Sequence, residues 1–469
     1  MTNILTGHNL LKIDYKNIFI LFLLCFSFTQ EIPNEFYDFK EKQILMNCGL
    51  FWDQNSTFGP IRFSHITTYS DSLIARARFG STILNNGTAL YAFGHFTFKK
   101  QFHGYLYPRI VDNPDFFPRF SGEPRLIHRF GFSSGETDLS GISYENGWMI
   151  LQFGRGRQSW GAGEDIQLSL SHNSNAYDYG MLDLDFNNLR VRYFHGFLET
   201  DTLSVNRYIV GRGIEWNNER NILIGLSEII IYSGANRPLD ISYMNPIATH
   251  LEIELNERQN QLGTASGNGV WQLSLDMILK KKLKLSINYM FDEFVLDKIQ
   301  LMSGKSHGDA YSIQITQILS NNKNYLNFIY CSLISVGTNT FQHQKGNNNF
   351  VQKNVPLGYF RGNDVRESKI GIKGILFDKL IGNFEFGILE RGENNFIEKP
   401  YEGYHNYLGG FFPSGNVKKS IVSQLKFQWW WKKNISFFFD LQSDDVANLS
   451  EKLVFFIGLD AYFEINKIL

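Results

Sequence analysis

The chain has 469 residues, 15% of them aromatic, with 42 Phe, 22 Tyr and 41 Gly but only 11 Pro, a balance that argues for strands and against a helical or disordered chain. Its formal net charge of -1 gives no electrostatic case for a nucleic-acid partner. The length would hold two or three soluble domains, yet no linker-like break in composition divides it.

The only long apolar run is Ile18–Phe28 (IFILFLLCFSF), preceded by Lys12 and Lys16. It is shorter than the roughly 20 apolar residues a membrane-spanning helix needs. The basic flank and apolar core read as a secretory signal peptide over residues 1–29. Leu24 before Cys25 does not suit a lipid anchor. Beyond the signal, Cys48 and Cys331 remain, and their spacing leaves open whether they pair. Residues 30–70 read as an N-terminal periplasmic or plug segment, in which Glu35–Met46 is either a short helix or an edge segment.

Residues 71–469 read as an all-β unit, a transmembrane antiparallel β-barrel with small helical or plug elements. In chain order the expected strands are Leu73–Leu84, Ala89–Lys99, Arg125–Phe132, Leu139–Tyr144, Trp148–Gly154, Tyr179–Phe186, Leu189–Leu198, Val205–Trp216 and Asn221–Tyr232. They continue with Val270–Leu279, Leu283–Phe291, Ala310–Leu319, Asn324–Val336, Ser368–Phe377, Leu380–Glu390, Ser420–Trp430, Ile435–Leu441 and Lys452–Phe463. That is about 18 strands, an even number within the range of outer-membrane barrels.

Met181–Phe197 shows the repeating unit. Leu182 and Leu184 alternate with Asp183 and Asp185, Asn187-Asn188 turns the chain, and Leu189, Val191 and Tyr193 alternate with Arg190 and Arg192. Counted from the turn, Asp185 opposes Arg190 and Asp183 opposes Arg192, so one hairpin face is charged and the other apolar. A membrane barrel turns such apolar faces to lipid and packs such charges in the lumen. From this hairpin to the C-terminus, short turns and long polar loops alternate without a break, as periplasmic turns and external loops do. Upstream the parity fails at Lys100–Glu123, a proline-containing stretch read as a plug or cap. Trp429, Trp430 and Trp431 followed by the basic Lys432-Lys433 turn place an aromatic girdle at the periplasmic rim. The chain departs from the usual aromatic barrel terminus, because Phe463 is followed by Glu464–Leu469.

Two external loops hold the densest functional chemistry. Gly154–Tyr179 carries Arg157, Trp160, Glu164, Asp165, Asn173 and Asn175, with Gly161 and Gly163 freeing the backbone beside the tryptophan. Aromatic faces beside carboxylates, amides and arginines suit sugars. The same residues would equally serve a loop folded inward to pack the lumen. Ser233–Gly269 adds Arg237, Tyr243 and Asn245, and its length suits a gate or recognition element. His250 in that loop is more simply a hydrogen-bonding residue than a catalytic one. No nucleophile elbow, phosphate loop, zinc spacing or calcium loop occurs, so nothing positive points to an enzyme, a metal or a cofactor.

Arg157-Gln158-Ser159-Trp160-Gly161-Ala162-Gly163, the run Leu168–Ala176, Ile224-Gly225-Leu226-Ser227-Glu228 and Tyr243-Met244-Asn245-Pro246 resemble motifs of the Wzi-like capsule assembly family. The resemblance implies an outer-membrane barrel with helical elements closing the lumen. It further implies a lectin-like role, binding surface exopolysaccharide and supporting its attachment as a capsule. On this reading the partners are surface polysaccharide, outer-membrane lipid and the outer-membrane assembly machinery. A porin-like diffusion channel for small polar solutes is the alternative, with Asp183, Asp185, Arg190 and Arg192 lining the pore.

Overall fold

The computed structural model describes residues 39–50, 56–59, 73–99, 101–117, 119–201, 203–260, 267–280, 282–293, 298–304, 307–322, 325–377, 379–403, 410–443 and 453–467. The expected signal peptide and most of the 30–70 segment lie outside them.

Strands alternating polar and apolar residues have two unlike faces, and here each finds its own solvent. Eighteen antiparallel strands close into one barrel. They are β1 Leu73–Leu84, β2 Gly87–Phe98, β3 Phe102–Val111, β4 Ser134–Glu145, β5 Met149–Gly156, β6 Tyr177–Asp185, β7 Leu189–Thr200, β8 Val205–Asn217 and β9 Ile222–Ala235. The circuit continues through β10 Asn268–Lys280, β11 Leu283–Glu293, β12 Gly308–Asn322, β13 Tyr325–Val336, β14 Val365–Phe377, β15 Leu380–Arg391, β16 Lys418–Lys432, β17 Ile435–Ser443 and β18 Leu453–Lys467. β1 pairs with β2 on one side and with β18 on the other, in register from Leu73↔Lys467 to Leu84↔Phe456. The last strand therefore runs past Phe463, and the segment after it extends the closing ladder.

Two sequence expectations are corrected. Lys100–Glu123 is not a plug or cap, because Phe102–Val111 within it is a full barrel strand. Its Pro108 sits at a register shift against β4, where a missing N–H costs no regular ladder bond. Arg125–Phe132 is not a strand but part of the following loop, held by an Arg129↔Phe132 bridge. The two errors cancel in the count. With β3 in place, the turn after β2 is short and 112–133 is a long loop, so the parity of turns and loops extends upstream as far as β2; the Asn85-Asn86 connection before it is short where parity calls for a long loop.

The outer wall exposes Phe79, Leu106, Phe153, Ile372, Phe384 and Phe386, while Arg78, His95, Gln152, Asp183, Arg192 and Asp276 are buried within. An apolar belt on a barrel without open edges is the form in which strands cross hydrocarbon. Trp148, Phe186, Trp216, Phe377, Trp429 and Trp431 face outward at the short-turn end, forming the expected girdle. Trp430, between two of them, points inward and is 1% exposed. Cys331, on the outer face of β13, is free.

The Asn187-Asn188 hairpin has the expected register, with Asp183↔Arg192 and Asp185↔Arg190. Asp183 takes both arginines, accepting from Arg190 Nε at 2.9 Å and from Arg192 Nε at 2.8 Å. Asp185 accepts from the Asn187 backbone N–H at the turn, where Asn187 adopts a positive φ. Asp183, Arg190 and Arg192 are buried on the inner face, and Asp185 caps the turn at its end.

The region expected to be a short helix or edge is helix α1, Phe39–Leu50. It lies inside the short-turn mouth against one arc of the wall. Glu41 pairs with Arg76 of β1, Lys42 donates to Gln428 of β16, and the Phe39 ring lies 5.4 Å from that of Trp430. Met46 packs with Ile318, Leu326, Phe328 and Ile375 further round the same arc.

Asp183→Ala leaves two buried guanidinium groups without their shared carboxylate. We predict a loss of about 3–5 kcal/mol, read as a lower urea midpoint of the folded barrel in micelles.

Candidate functional site

The loop between β5 and β6, residues 157–176, does not project outward but descends into the lumen. Gly161 and Gly163 take φ of +146° and +77°, which bend the chain beside Trp160. Side-chain amides on three consecutive strands then grip the loop backbone. Gln272 of β10 donates to the Trp160 carbonyl at 3.0 Å and accepts from the Ser169 N–H at 2.9 Å. Asn288 of β11 accepts from the Ala162 N–H and donates to the Ala162 carbonyl, at 2.7 and 2.9 Å. Gln314 of β12 does the same for Glu164, at 3.2 and 3.0 Å. A primary amide carries one acceptor and two donor hydrogens, so it replaces the strand partner the loop backbone lacks.

Trp160 is fully enclosed. Its ring lies 4.8 Å from Phe58 and 5.3 Å from Phe194, and its indole N–H donates to Gln158 at 3.1 Å. Phe58 arrives on a two-residue strand, Phe58–Gly59, that pairs with Ser159–Trp160. The neighbouring Thr57 hydroxyl donates to Glu215 of β8 at 2.6 Å. Residues 56–59 of the N-terminal segment thus lie against the 157–176 loop and the inner wall.

Arg157 pairs with Asp138, donating to its Oδ2 at 3.2 Å, and also donates to the Ser174 carbonyl. Asn175 is buried and donates to the Gln352 carbonyl at 3.2 Å. Asn173 is half-buried in the loop's own turn, its N–H donating to Ser171 Oγ at 3.1 Å. Glu164 pairs with Lys373 of β14, and Asp165 lies 3.4 Å from His172. Both acids keep partial solvent contact at the deep tip of the loop.

The loop after β9 takes a third direction. β8 and β9 turn Tyr208, Val210, Arg212, Glu228, Ile230 and Tyr232 to the lipid side of the wall, in phase with the exposed Ile214, Trp216, Ile224 and Leu226. Residues 236–260 fold over these positions as an outer flap. Tyr243 stacks on Tyr232 at 4.7 Å, and Tyr232 stacks on Tyr208 at 5.0 Å. Arg237 is fully buried over the Tyr232 ring and pairs with Asp240 at 2.9 Å. The Asn245 carbonyl accepts from Arg212, and its exposed side chain accepts from the Ile247 N–H. The three expected contacts in this flap are therefore separated by the barrel wall from the six in the 157–176 loop.

Sequence reading missed the lid. Loops 337–364 and 392–403 close the lumen from outside, packing Phe341, Phe350, Leu357, Tyr359 and Phe396 onto Leu168 and Leu170. Fully buried Arg207 of β8 is their latch. It donates to the carbonyls of Asn347, Asn349 and Val351 at 2.6, 2.7 and 2.8 Å, and pairs with Glu199. Glu199 also accepts from Tyr401 at 2.6 Å, whose ring lies 5.0 Å from the guanidinium. The outer surface of this lid exposes Gln344, Lys345, Lys353, Asn354, Lys399 and Glu402 around half-buried Tyr401.

Trp160→Ala opens a cavity at the centre of the plug and should cost about 3–5 kcal/mol. Hydrogen exchange should show lost protection across residues 159–170 while the barrel strands stay protected. Acid should act on the same loop through Asp165. Burial pushes its carboxyl up, but His172, Lys373, Lys369 and Lys426 outweigh burial and hold it below the ordinary carboxylate range. With the folded value depressed, its stabilisation is present above the unfolded value and lost as pH falls through the folded one. Loop protection should decline over that acid interval, and Asp165→Asn should abolish the decline. An unchanged acid profile in the variant would exonerate Asp165.

No family model matches this sequence, and no curated protein does. Among solved structures, the chain is similar to Wzi, an outer-membrane protein involved in group 1 capsule assembly in Escherichia coli and described as a carbohydrate-binding β-barrel. The two are 11% identical with a TM-score of 0.63, over 92% of this chain and 98% of that one. OprD of Pseudomonas aeruginosa aligns at 10% identity and TM-score 0.44, over 85% of this chain and 96% of its own. A loop-deletion form of OmpT, an outer-membrane protein of Vibrio cholerae, aligns at 8% identity and TM-score 0.35, over 83% and 98%. What the Wzi likeness shows is the fold, a closed barrel of the outer-membrane type.

Proposed function

We propose that this chain is an outer-membrane barrel that binds a surface polysaccharide on its closed external face and supports its attachment as a capsule, as the Wzi-like family does. The observation that carries the reading is the packed lumen. Helix α1, the Phe58–Gly59 strand, the 157–176 loop and the latched lid occupy successive levels from one mouth to the other. A barrel filled in this way is suited to hold something at its surface rather than to pass solutes.

The contacts belong on the lid. Trp160, Arg237 and Tyr243 are enclosed and present no face to a sugar ring, whereas the lid offers amides, lysines and a carboxylate beside Tyr401. Such groups hydrogen-bond hydroxyls and pair with charged sugar units. A diffusion channel is the second reading, favoured by the partly exposed polar groups Glu164, Asp165, His172 and Lys426.

Binding of extracted surface polysaccharide to the purified barrel tests this directly. Replacing Gln344, Lys345 and Lys399 together by alanine should weaken binding roughly tenfold, about 1.4 kcal/mol. Heat-modifiable migration reports that the barrel still folds. Undiminished binding by this variant would remove the lid face as the site.

A further inference from the structure

The flap 236–260 has a closed inner side and an open outer one. The inner side sets hydroxyls and charged pairs among apolar contacts of Tyr243 and Ile253 with Val210, Ile230 and Tyr232 of the wall. The Tyr243 hydroxyl donates to Glu254 at 2.8 Å, His250 Nδ1 lies 2.7 Å from Glu228, and Arg212 lies 3.2 Å from the same carboxylate. The fit is close: a Cβ added to Gly269 of β10 would come within 2.5 Å of the His250 ring. The outer side is apolar. Leu239, Ile241, Met244, Ile247, Leu251 and Leu255 are exposed, Ile247 and Leu255 at 86% and 80%.

That apolar side does not stand alone on the surface. It continues the lipid-facing wall, because the flap covers the outward positions directly above Leu226 of β9 and Leu273 of β10. Glu228, under the flap, is the register partner of Trp271, whose ring pairs with Phe291 on the outer wall. The flap thus sits at the level of outward-facing aromatics, where the hydrocarbon gives way to the interface. Of its exposed charged residues, Arg258 pairs with Glu252 at 2.6 Å. An exposed apolar face continuous with the lipid-facing wall, at the level of the membrane boundary, is what an in-plane membrane element presents to lipid.

We propose that the flap lies in the outer leaflet of the membrane, its exposed apolar side chains taking the acyl chains of outer-leaflet lipid. The flap is also what allows an arginine–glutamate pair to face outward from the barrel. Without it, Arg212 and Glu228 would meet lipid directly, where unshielded charge is strongly disfavoured. This inference is independent of the polysaccharide reading.

Nitroxide accessibility of the full barrel in phosphatidylcholine–phosphatidylglycerol vesicles tests it. Labels go at Ile241→Cys and Ile247→Cys in a background lacking Cys25, Cys48 and Cys331, with Phe386→Cys as the lipid reference and Lys345→Cys as the aqueous one. Heat-modifiable migration confirms assembly, and Leu251→Cys stands in if either flap variant fails to assemble. The flap labels should favour oxygen over a water-soluble nickel chelate as Phe386→Cys does, by roughly tenfold relative to Lys345→Cys. A ratio matching Lys345→Cys would overturn the proposal. So would exclusion of both reagents with broadening between labels on different molecules, which would mean that a second copy covers the flap.

Discussion

A strand that crosses hydrocarbon has no water to satisfy its edge, so every backbone N–H and C=O must find a partner within the protein. For this chain the constraint is met at one seam, where β1 pairs with β18 along its whole length. Closure has two consequences that shape everything else. Outward positions must be apolar, and Phe79, Phe153, Ile372 and Phe384 supply that surface. Inward positions are then free to be polar, but once desolvated each must be paired. Asp183 shows how: one carboxylate answers two guanidinium groups from the adjacent strand.

The interior is filled by segments remote in sequence, and the polar wall selects them. Gln272, Asn288 and Gln314 hold the backbone of the 157–176 loop, Glu215 holds Thr57, and Arg207 gathers three carbonyls of the lid. Each is a side chain standing in for a missing strand or turn partner. The plug is therefore part of the folded interior, with buried aromatic contacts at its centre between Phe58, Trp160 and Phe194. On the proposed reading, a filled lumen leaves the lid and the outer wall as the surfaces for function.

Much of this was legible because barrel physics writes itself locally. The Asn187-Asn188 hairpin predicts its own register, since alternation and a tight turn leave one pairing that keeps both faces consistent. β3 escaped notice because Pro108 interrupts it and its inward positions include the aromatic Tyr105 and Tyr107, which blurs the contrast between faces. Arg125–Phe132 misled for the opposite reason: it reads as a strand, but its Leu126, Ile127 and Phe130 stand exposed on a loop. The direction of the two functional-looking loops was not legible at all. Whether 157–176 turns in or out depends on amides contributed by strands more than a hundred residues away. The flap left a trace that local reading passed over. Tyr208, Arg212 and Glu228 occupy outward positions where the rest of the wall is apolar, and such a polar seam requires a cover.

The central proposal is that the barrel is closed to solutes and acts through its surfaces. Planar-bilayer recording of the purified, unmodified chain tests it most directly. The account predicts insertion without a steady open conductance, at any voltage that leaves the bilayer intact. A stable ohmic current carried by single inserted barrels would contradict it, and would return the polar lumen to the role of a pore.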